Sequence, residues 1–296
     1  MRLYYRISDK GYPKQKLPGA DKEYCLMNFC AAFQNQVFGI LRNDKMRGGL
    51  LHCPPLLVIA DRCEDDTYKM IADTGLAVQR TDLGNAKSLL HTLERAAKEN
   101  EDDEILYFCE DDYLHIQTAP KLLEEGLKRS DYVTLYDHPD KYTRLYNGGE
   151  FSKVIKTESS HWRFTVSTCM TFGTTAKVLR EDLDVFRKHC EGDHPHDHFI
   201  FEELGKKGRR LAVPIPGAAC HTDLTFSANM KQVLIDPWAI DMMIGRVDIQ
   251  LNGVHATDNF MPPKEYVEMR EMLLKRAKTP WEKLFALDVL KKEYLK

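Results

Sequence analysis

The sequence predicts an α/β fold, an open and mostly parallel central sheet flanked by helices. Three observations predict it. Apolar runs of strand length, RLYYRI (2–7), PPLLVIAD (54–61) and EILYFC (104–109), are continuous rather than alternating, as in strands buried on both faces. The stretches between them carry apolar residues at helical spacing. Strand and helix patterns then alternate over residues 1–135, which implies right-handed βαβ units.

Taken in order, strand 2–7 leads through a loop with Gly11, Pro13, Pro18 and Gly19 into a helix over 22–40. That helix is read from Leu26, Phe29, Phe33, Val37 and Ile40. After strand 54–61 come a short helix at 64–74, a strand at 76–80 and a helix over 84–98. The stripe of this last helix is Ala86, Leu89, Leu90, Leu93, Ala96 and Ala97. Beyond strand 104–109 the pattern changes. DYVTLY (131–136) reads as a strand, 151–157 and 161–172 as a strand pair, and 175–190 as an amphipathic helix. A histidine-rich loop, GDHPHDH, feeds a helix ending near 206, followed by the strand RLAVPI (210–215). Residues 225–262 are irregular, with Trp238, Met242 and Met243 expected to pack on the core, and two helices (263–277 and 280–294) close the chain. The reading is one domain, 1–296.

Composition excludes several classes. Hydrophobic residues make up 43%, enough for a full core, and charged residues 29% with a net charge of −3, so a nucleic-acid binder with a basic excess is not expected. No apolar run approaches the ~20 residues of a membrane span, and MRLYYRISDK is too short and polar for a signal peptide. A cytoplasmic chain is expected. Cysteines 25, 30, 53, 63, 109, 169, 190 and 220 form no C-x-x-C pair and read as reduced thiols, several acting as small hydrophobes.

The chemistry concentrates at Glu110-Asp111-Asp112. Three consecutive carboxylates repel one another, yet they follow directly on a buried strand. Ligands of open α/β sheets bind beyond the carboxyl ends of the strands, a rim that also holds Asp61 and the loop after Ile7. A divalent cation would offset the repulsion, since Mg²⁺ is commonly held by one or two carboxylates together with substrate phosphates. Two similar runs, Glu64-Asp65-Asp66 and Glu101-Asp102-Asp103, read instead as surface or helix N-terminal charge.

At ILYFCEDDYLH the chain resembles the GT-A glycosyltransferases, in particular the family-2-like group, whose acidic D-x-D type motif ends a strand of the nucleotide-binding half. The resemblance covers about residues 1–225. It implies a GT-A type sheet with a small second sheet, a nucleotide-binding half (1–135), an acceptor half (136–225) and a wrapping segment with C-terminal helices (226–296). It implies Glu110 on the ribose side and Asp112 as metal ligand; Glu110 departs from the family's first Asp. The family's x-E-D slot is filled by Pro195-His196-Asp197, where His196 replaces the usual acid and Asp197 is implied as general base of an inverting transfer. His221, after the strand RLAVPI, is implied to complete the metal shell. Arg6, Ser8, Asp61, Asn85, Ser88 and Asp111 fall in the donor-nucleotide region, with the helix N-terminus near Asn85 suited to a nucleotide. Together these imply a Mn²⁺- or Mg²⁺-assisted transfer of a sugar from a nucleoside diphosphate sugar, by family frequency UDP-linked, to a hydroxyl of a glycan or glycoconjugate.

Other constellations have plainer readings beside these. Three histidines in His194-Pro195-His196-Asp197-His198 could suggest zinc, but their close spacing and the missing distant ligand argue for a polar acceptor-side loop or a helix cap. His161-Trp162-Arg163 and Asp137 are either acceptor wall or packed strand. Lys206-Lys207 and Arg209-Arg210 read as charge complementing a helix end, with a phosphate contact as the alternative. Two rival functions stay open. A sugar-phosphate nucleotidyltransferase would need a glycine-rich, basic loop after the first strand, and GYPKQKLPGADK has lysines without a dense glycine run. A non-catalytic carbohydrate-binding protein would bind sugar without metal-dependent nucleotide binding.

Overall fold

The computed structural model describes residues 1–11, 16, 20–37, 55–138, 141, 150–222 and 272. The chain divides into two compact units, Met1–His138 with Phe151–Leu224, and Pro139–Glu150 with Thr225–Lys296. Nearly all described residues belong to the first. The expectations for Phe38–Ile40, Cys53, Asp140, Trp238, Met242, Met243, the segment 225–262 and the two C-terminal helices lie outside the described residues.

The strands are β1 (Arg2–Ile7), β2 (Leu56–Asp61), β3 (Ala77–Thr81), β4 (Ile105–Glu110), β5 (Tyr113–His115), β6 (Tyr132–Val133), β7 (Val154–Lys156), β8 (His161–Thr165), β9 (Phe172–Thr175), β10 (Leu211–Ile215) and β11 (Ala219–His221). The helices are α1 (Lys22–Ala32), α2 (Asp65–Asp73), α3 (Asn85–Glu99), α4 (Ala119–Leu127), α5 (Ala176–His189) and α6 (Asp197–Lys206). A nine-stranded sheet runs β3-β2-β1-β4-β9-β6-β10-β8-β7, and β11 pairs with β5 in a two-stranded sheet. The pairs β3–β2, β2–β1 and β1–β4 are parallel, while β9 and β8 run against their neighbours. This is the α/β class expected, as a mixed sheet with a parallel nucleotide-type half and a small second sheet.

The continuous apolar strands have the two covered faces their composition demanded. Leu3, Tyr5, Val58 and Tyr107 face a cluster with Leu26, Phe29 and Phe33 of the α1 side and Leu122 and Leu123 of α4. Tyr4, Leu57, Ile59, Leu106 and Phe108 face Leu89, Leu93, Leu179, Phe186 and Phe201 of α3, α5 and α6. The stripe read on α3 is buried at Ala86, Leu89, Leu93, Ala96 and Ala97.

Two expectations change in detail. The strand read over 161–172 is two strands: β8 ends at Thr165 and β9 begins at Phe172, inserted between β4 and β6. The helix read over 22–40 breaks after Ala32 at Phe33. The control acidic runs are structural. Glu64 holds the N-cap position of α2 without a side-chain capping bond and pairs with Lys10, and Asp65 and Asp66 lie in the first turn, where carboxylates complement the helix dipole. Asp102 pairs with Arg180, and its carbonyl accepts the Lys177 N–H. The buried cysteines Cys25, Cys30 and Cys190 have thiols pushed up to about 11 by burial, and Cys63 to about 12, so they pack as small hydrophobes rather than react.

Close packing around Trp162 gives a first prediction. A Cβ on Gly126 would stand 2.6 Å from Val133 Cγ2 and 2.7 Å from the Trp162 ring, which is fully buried. Neither neighbour is a flexible chain end. Gly126→Ala is expected to cost about 1–3 kcal/mol through overpacking, read as a lowered urea midpoint; an unchanged midpoint would contradict this packing.

Candidate active site

Strand alternation distributes the acidic triplet. Arg6 on β1 lies opposite Glu110 on β4 in register, and both point to the α3 side of the sheet. The Arg6 guanidinium donates to Glu110 Oε1 at 3.2 Å and, through Nη2, to the Asn85 carbonyl at 2.9 Å and Oδ1 at 2.7 Å. Arg6 is 9% exposed. It therefore ties the mouth of β4 to the N-terminus of α3.

That N-terminus is built by Asp61. Its Oδ1 accepts from the Thr81 hydroxyl at 2.8 Å and the Leu83 N–H at 2.7 Å, and its Oδ2 from the Gly84 N–H at 3.0 Å. Gly84 has φ of 84°, a region that favours glycine. Asp61 thus organises the rim from within. Ser88 sits one turn into α3 on its buried face, 1% exposed, so it is packed beneath the rim rather than open to it.

One residue beyond the end of β4, Asp111 turns toward α1. Its Oδ2 accepts the Ser8 N–H at 3.3 Å and stands 3.2 Å from Lys22 Nζ. Lys22 also pairs with Asp9 at 2.7 Å and donates to the Ser8 carbonyl. Lys16 Nζ donates to the Asp111 carbonyl at 3.3 Å. Burial raises the Asp111 carboxyl above its ordinary value and the Asp112 charge adds to this, against the lowering pull of Lys22 and Lys16. The approach of these two lysines to Asp111 is a tertiary fact that the loop's sequence does not show.

Asp112 begins the passage into β5, and β5 pairs antiparallel with β11 so that Tyr113 faces His221. The Asp112 carbonyl accepts the Thr222 N–H at 2.7 Å and its hydroxyl at 2.9 Å. His221 Nε2 stands 3.5 Å from Asp112 Oδ2, its ring edge-on to Tyr113 at 4.8 Å. That separation exceeds the usual hydrogen-bond range of about 2.7–3.2 Å. Two ligand atoms about 2.1 Å from one divalent cation stand about 3.0–3.4 Å apart at ordinary angles. At 3.5 Å the pair stands just beyond that span, so the two side chains would have to close slightly to share a cation. No group of three or more His, Cys, Asp or Glu suited to a metal occurs among the described residues, the histidine-rich loop included.

That loop adjoins the same rim. The Asp193 carbonyl accepts the Ala86 N–H at 3.3 Å, and His196 donates its N–H to the His189 carbonyl at 3.0 Å. Asp197 is the first residue of α6, with the exposed His196 as cap residue. Burial raises the Asp197 carboxyl above its ordinary value, while the His198 N–H, donated to Oδ1 at 2.8 Å, opposes the rise. Phe199, which the sequence reading missed, is 53% exposed, with ring centroids of His196 and His198 within 6.2 and 5.6 Å. An aromatic one turn along from a polar loop was its only signal.

The 161–163 run splits by strand alternation. Trp162 is fully buried, its indole N–H donating to Thr157 Oγ1 at 2.8 Å, so neither ring face can stack on a ligand. Arg163 points the other way with His161 and pairs with Asp137 at 2.8 Å, each side chain 4% exposed. Arg163 and Asp137 form a buried ion pair and His161 is partly exposed at the start of β8.

No family model matches the sequence, and no curated protein matches it. Solved structures similar to this one include S. aureus TarS 1–349, with 12% identity and TM-score 0.43, covering 92% of this chain and 79% of that one. Glucosyl-3-phosphoglycerate synthase from Mycobacterium tuberculosis, in complex with Mg²⁺ and UDP, has 12% identity and TM-score 0.38, covering 83% and 79%. The inositol-1-phosphate CTP transferase from T. maritima has 15% identity and TM-score 0.39, covering 75% and 89%. These likenesses are too distant to transfer an activity or a site residue. Among the described residues no helix is long and apolar enough to cross a membrane.

Proposed function

We propose that the chain is a glycosyltransferase that moves a sugar from a nucleoside diphosphate sugar, UDP-linked, to a hydroxyl of a glycan or glycoconjugate acceptor. The observation that carries this reading is the division of the acidic triplet into three differently partnered carboxylates on one rim. Glu110 is held by Arg6, Asp111 by Ser8 and Lys22, and Asp112 stands by His221.

In this reading Arg6, Asn85 and Glu110 receive the nucleoside, with Asp61 fixing the turn that presents Asn85. Ser8 and Asp111 shape the floor of the same site, and Ser88 supports it from beneath. Asp112 and His221 hold Mn²⁺ or Mg²⁺, which when bound neutralises the diphosphate leaving group. Asp197 takes the proton of the acceptor hydroxyl as it attacks with inversion. Its raised pKa suits a base. His196 and Phe199 offer the acceptor a polar edge and a ring face; His161, with the Asp137–Arg163 pair behind it, lies on the acceptor side of the sheet, and Trp162 serves that wall as its core.

Thermal shift tests the donor site. UDP with Mn²⁺ is expected to stabilise the protein by about 2.7 kcal/mol at a hundred times its Kd, and UDP with chelator by much less. Asp112→Ala should remove the metal-dependent part. Equal shifts with and without Mn²⁺ in the wild type would sink the metal assignment.

One observation favours a second reading. Lys16 and Lys22, soon after β1, converge on Asp111, as a sugar-phosphate nucleotidyltransferase would require for a triphosphate. Release of pyrophosphate from a nucleoside triphosphate and a sugar phosphate would select that reading; release of a nucleoside diphosphate from a nucleotide sugar would select the first.

A further inference from the structure

The opposite end of the sheet carries a feature the acidic rim does not use. Arg129, Lys153, Lys156 and Arg210 converge with Ile155 and Phe164 around a cavity of about 380 Å³, within the roughly 300–1,000 Å³ typical of small-molecule sites. Arg210 immediately precedes β10 and Arg129 lies three residues before the start of β6, and both strands run in the same direction as β1 and β4. Arg129 and Arg210 thus stand at the amino ends of β6 and β10, whereas the acidic rim lies at the carboxyl ends of β1, β2 and β4; Lys153, Lys156 and Phe164 line the cavity from the residue before β7, from β7 and from β8. Sideways, β8 is four strands from β4, or about 20 Å at the usual strand spacing.

Charge is what sets it apart. Several basic residues elsewhere are paired with carboxylates: Arg209 with Asp182 and Glu181, Lys206 with Glu202, and Lys188 with Glu203. Among the described residues, none of the four cavity cations forms an ion pair with a carboxylate. Asp131, two residues from Arg129 in the chain, accepts the Arg210 backbone N–H at 2.9 Å and pairs with Arg209 at 3.6 Å. The Arg210 guanidinium lies over the Phe164 ring, 5.7 Å from its centroid, which orients its planar fork. Four clustered like charges repel unless an anion joins them, and guanidinium forks match phosphate oxygens. Ile155 and Phe164 add an apolar wall for the carbon part of such a ligand.

We propose that this cavity is a second binding site, one that takes a phosphorylated ligand with at least two negative charges, separate from the nucleotide rim. The phosphate groups could belong to a free small molecule or to a polyphosphate chain; the chemistry recognised is the same.

Titration calorimetry on the full chain, in chelator, tests it with inorganic pyrophosphate and long-chain polyphosphate. The wild type is expected to bind pyrophosphate saturably, and more weakly as salt rises. Lys153→Glu with Arg210→Glu should weaken binding by at least about tenfold, which is about 1.4 kcal/mol. The milder Lys153→Gln with Arg210→Gln, checked for an unchanged melting temperature, should weaken it in the same direction. Lys22→Ala, on the acidic rim, should leave it within about twofold. Tighter binding of polyphosphate per site assigns the polymer, and equal binding the small molecule. Three results would overturn the proposal: no pyrophosphate binding, unchanged binding in both cavity variants, or loss of binding in Lys22→Ala. Binding of a single-stranded oligonucleotide that pyrophosphate does not displace would also overturn it, in favour of a nucleic-acid surface.

Discussion

Asp197→Ala is expected to lower sugar transfer by about 10²–10⁴-fold, the usual contribution of a positioned general base, while metal-dependent UDP binding persists. Asp197 opens α6 beside a loop that is bonded to the N-terminus of α3 at Ala86, so it borders the acidic rim without being part of its bonded network. Its carboxyl is raised by burial. Two pH consequences follow with definite sign. The base works ionised, so the transfer rate should fall as pH drops through the raised pKa. A carboxyl raised in the folded state contributes stability that is lost as pH rises from its unfolded value through that pKa. Asp197→Asn should therefore be at least as stable as the wild type at pH 7, yet inactive. Steady-state rates with urea unfolding at pH 4 and 7 read both effects; retained turnover would remove Asp197 from the role.

The largest stability effect is expected from His115. It is 5% exposed, its ring packed against Phe29, Phe33 and Tyr107. Nε2 lies 2.8 Å from the Tyr107 hydroxyl, and Nδ1 has no hydrogen-bond partner. Burial lowers its pKa to about 3. The folded protein thus keeps His115 neutral where the unfolded chain, with a pKa near 6.5, takes up a proton. The unfolded state binds more protons below pH 6.5, so the stability is present above that value and is lost as pH falls toward 3. Between pH 7 and pH 4 the loss is about 3 kcal/mol by linkage. His115→Phe removes the titration. The stability difference between wild type and variant should shift by about that amount between the two pH values. A difference that stays constant would mean that the histidine is not held neutral.

Much of the parallel half was legible because burial on both faces leaves a mark in one dimension. RLYYRI, LLVIAD and ILYFC are continuous apolar runs, and the helical stripe of residues 86–97 can be counted directly. The second half resisted because its strands are short and their partners distant. VSTCMTF reads as a continuation of β8, yet Phe172–Thr175 leaves to pair between β4 and β6. Helix α4 and strand β5 drew no signal of their own; α4 is nine residues long, and β5 is three residues defined by a partner over a hundred positions away. Trp162 shows the limit of residue type as a guide. An aromatic beside His and Arg looks like a sugar platform, but strand alternation turns it into the core, while Arg163 on the other face is buried in its pair with Asp137.

The sequence by itself determined the α/β class, the order of its first elements and the place of Glu110-Asp111-Asp112 at a strand mouth. Apolar periodicity and the end of an apolar run are local properties, written in adjacent residues. Only the tertiary structure decided how the three carboxylates differ. Register sets Arg6 against Glu110, the fold of the loop after β1 brings Lys16 and Lys22 to Asp111, and the β5–β11 pairing carries His221 to Asp112. Those partners lie 89 to 109 positions away in the chain for Lys22 and His221, and no local pattern encodes a contact that closes so long a loop.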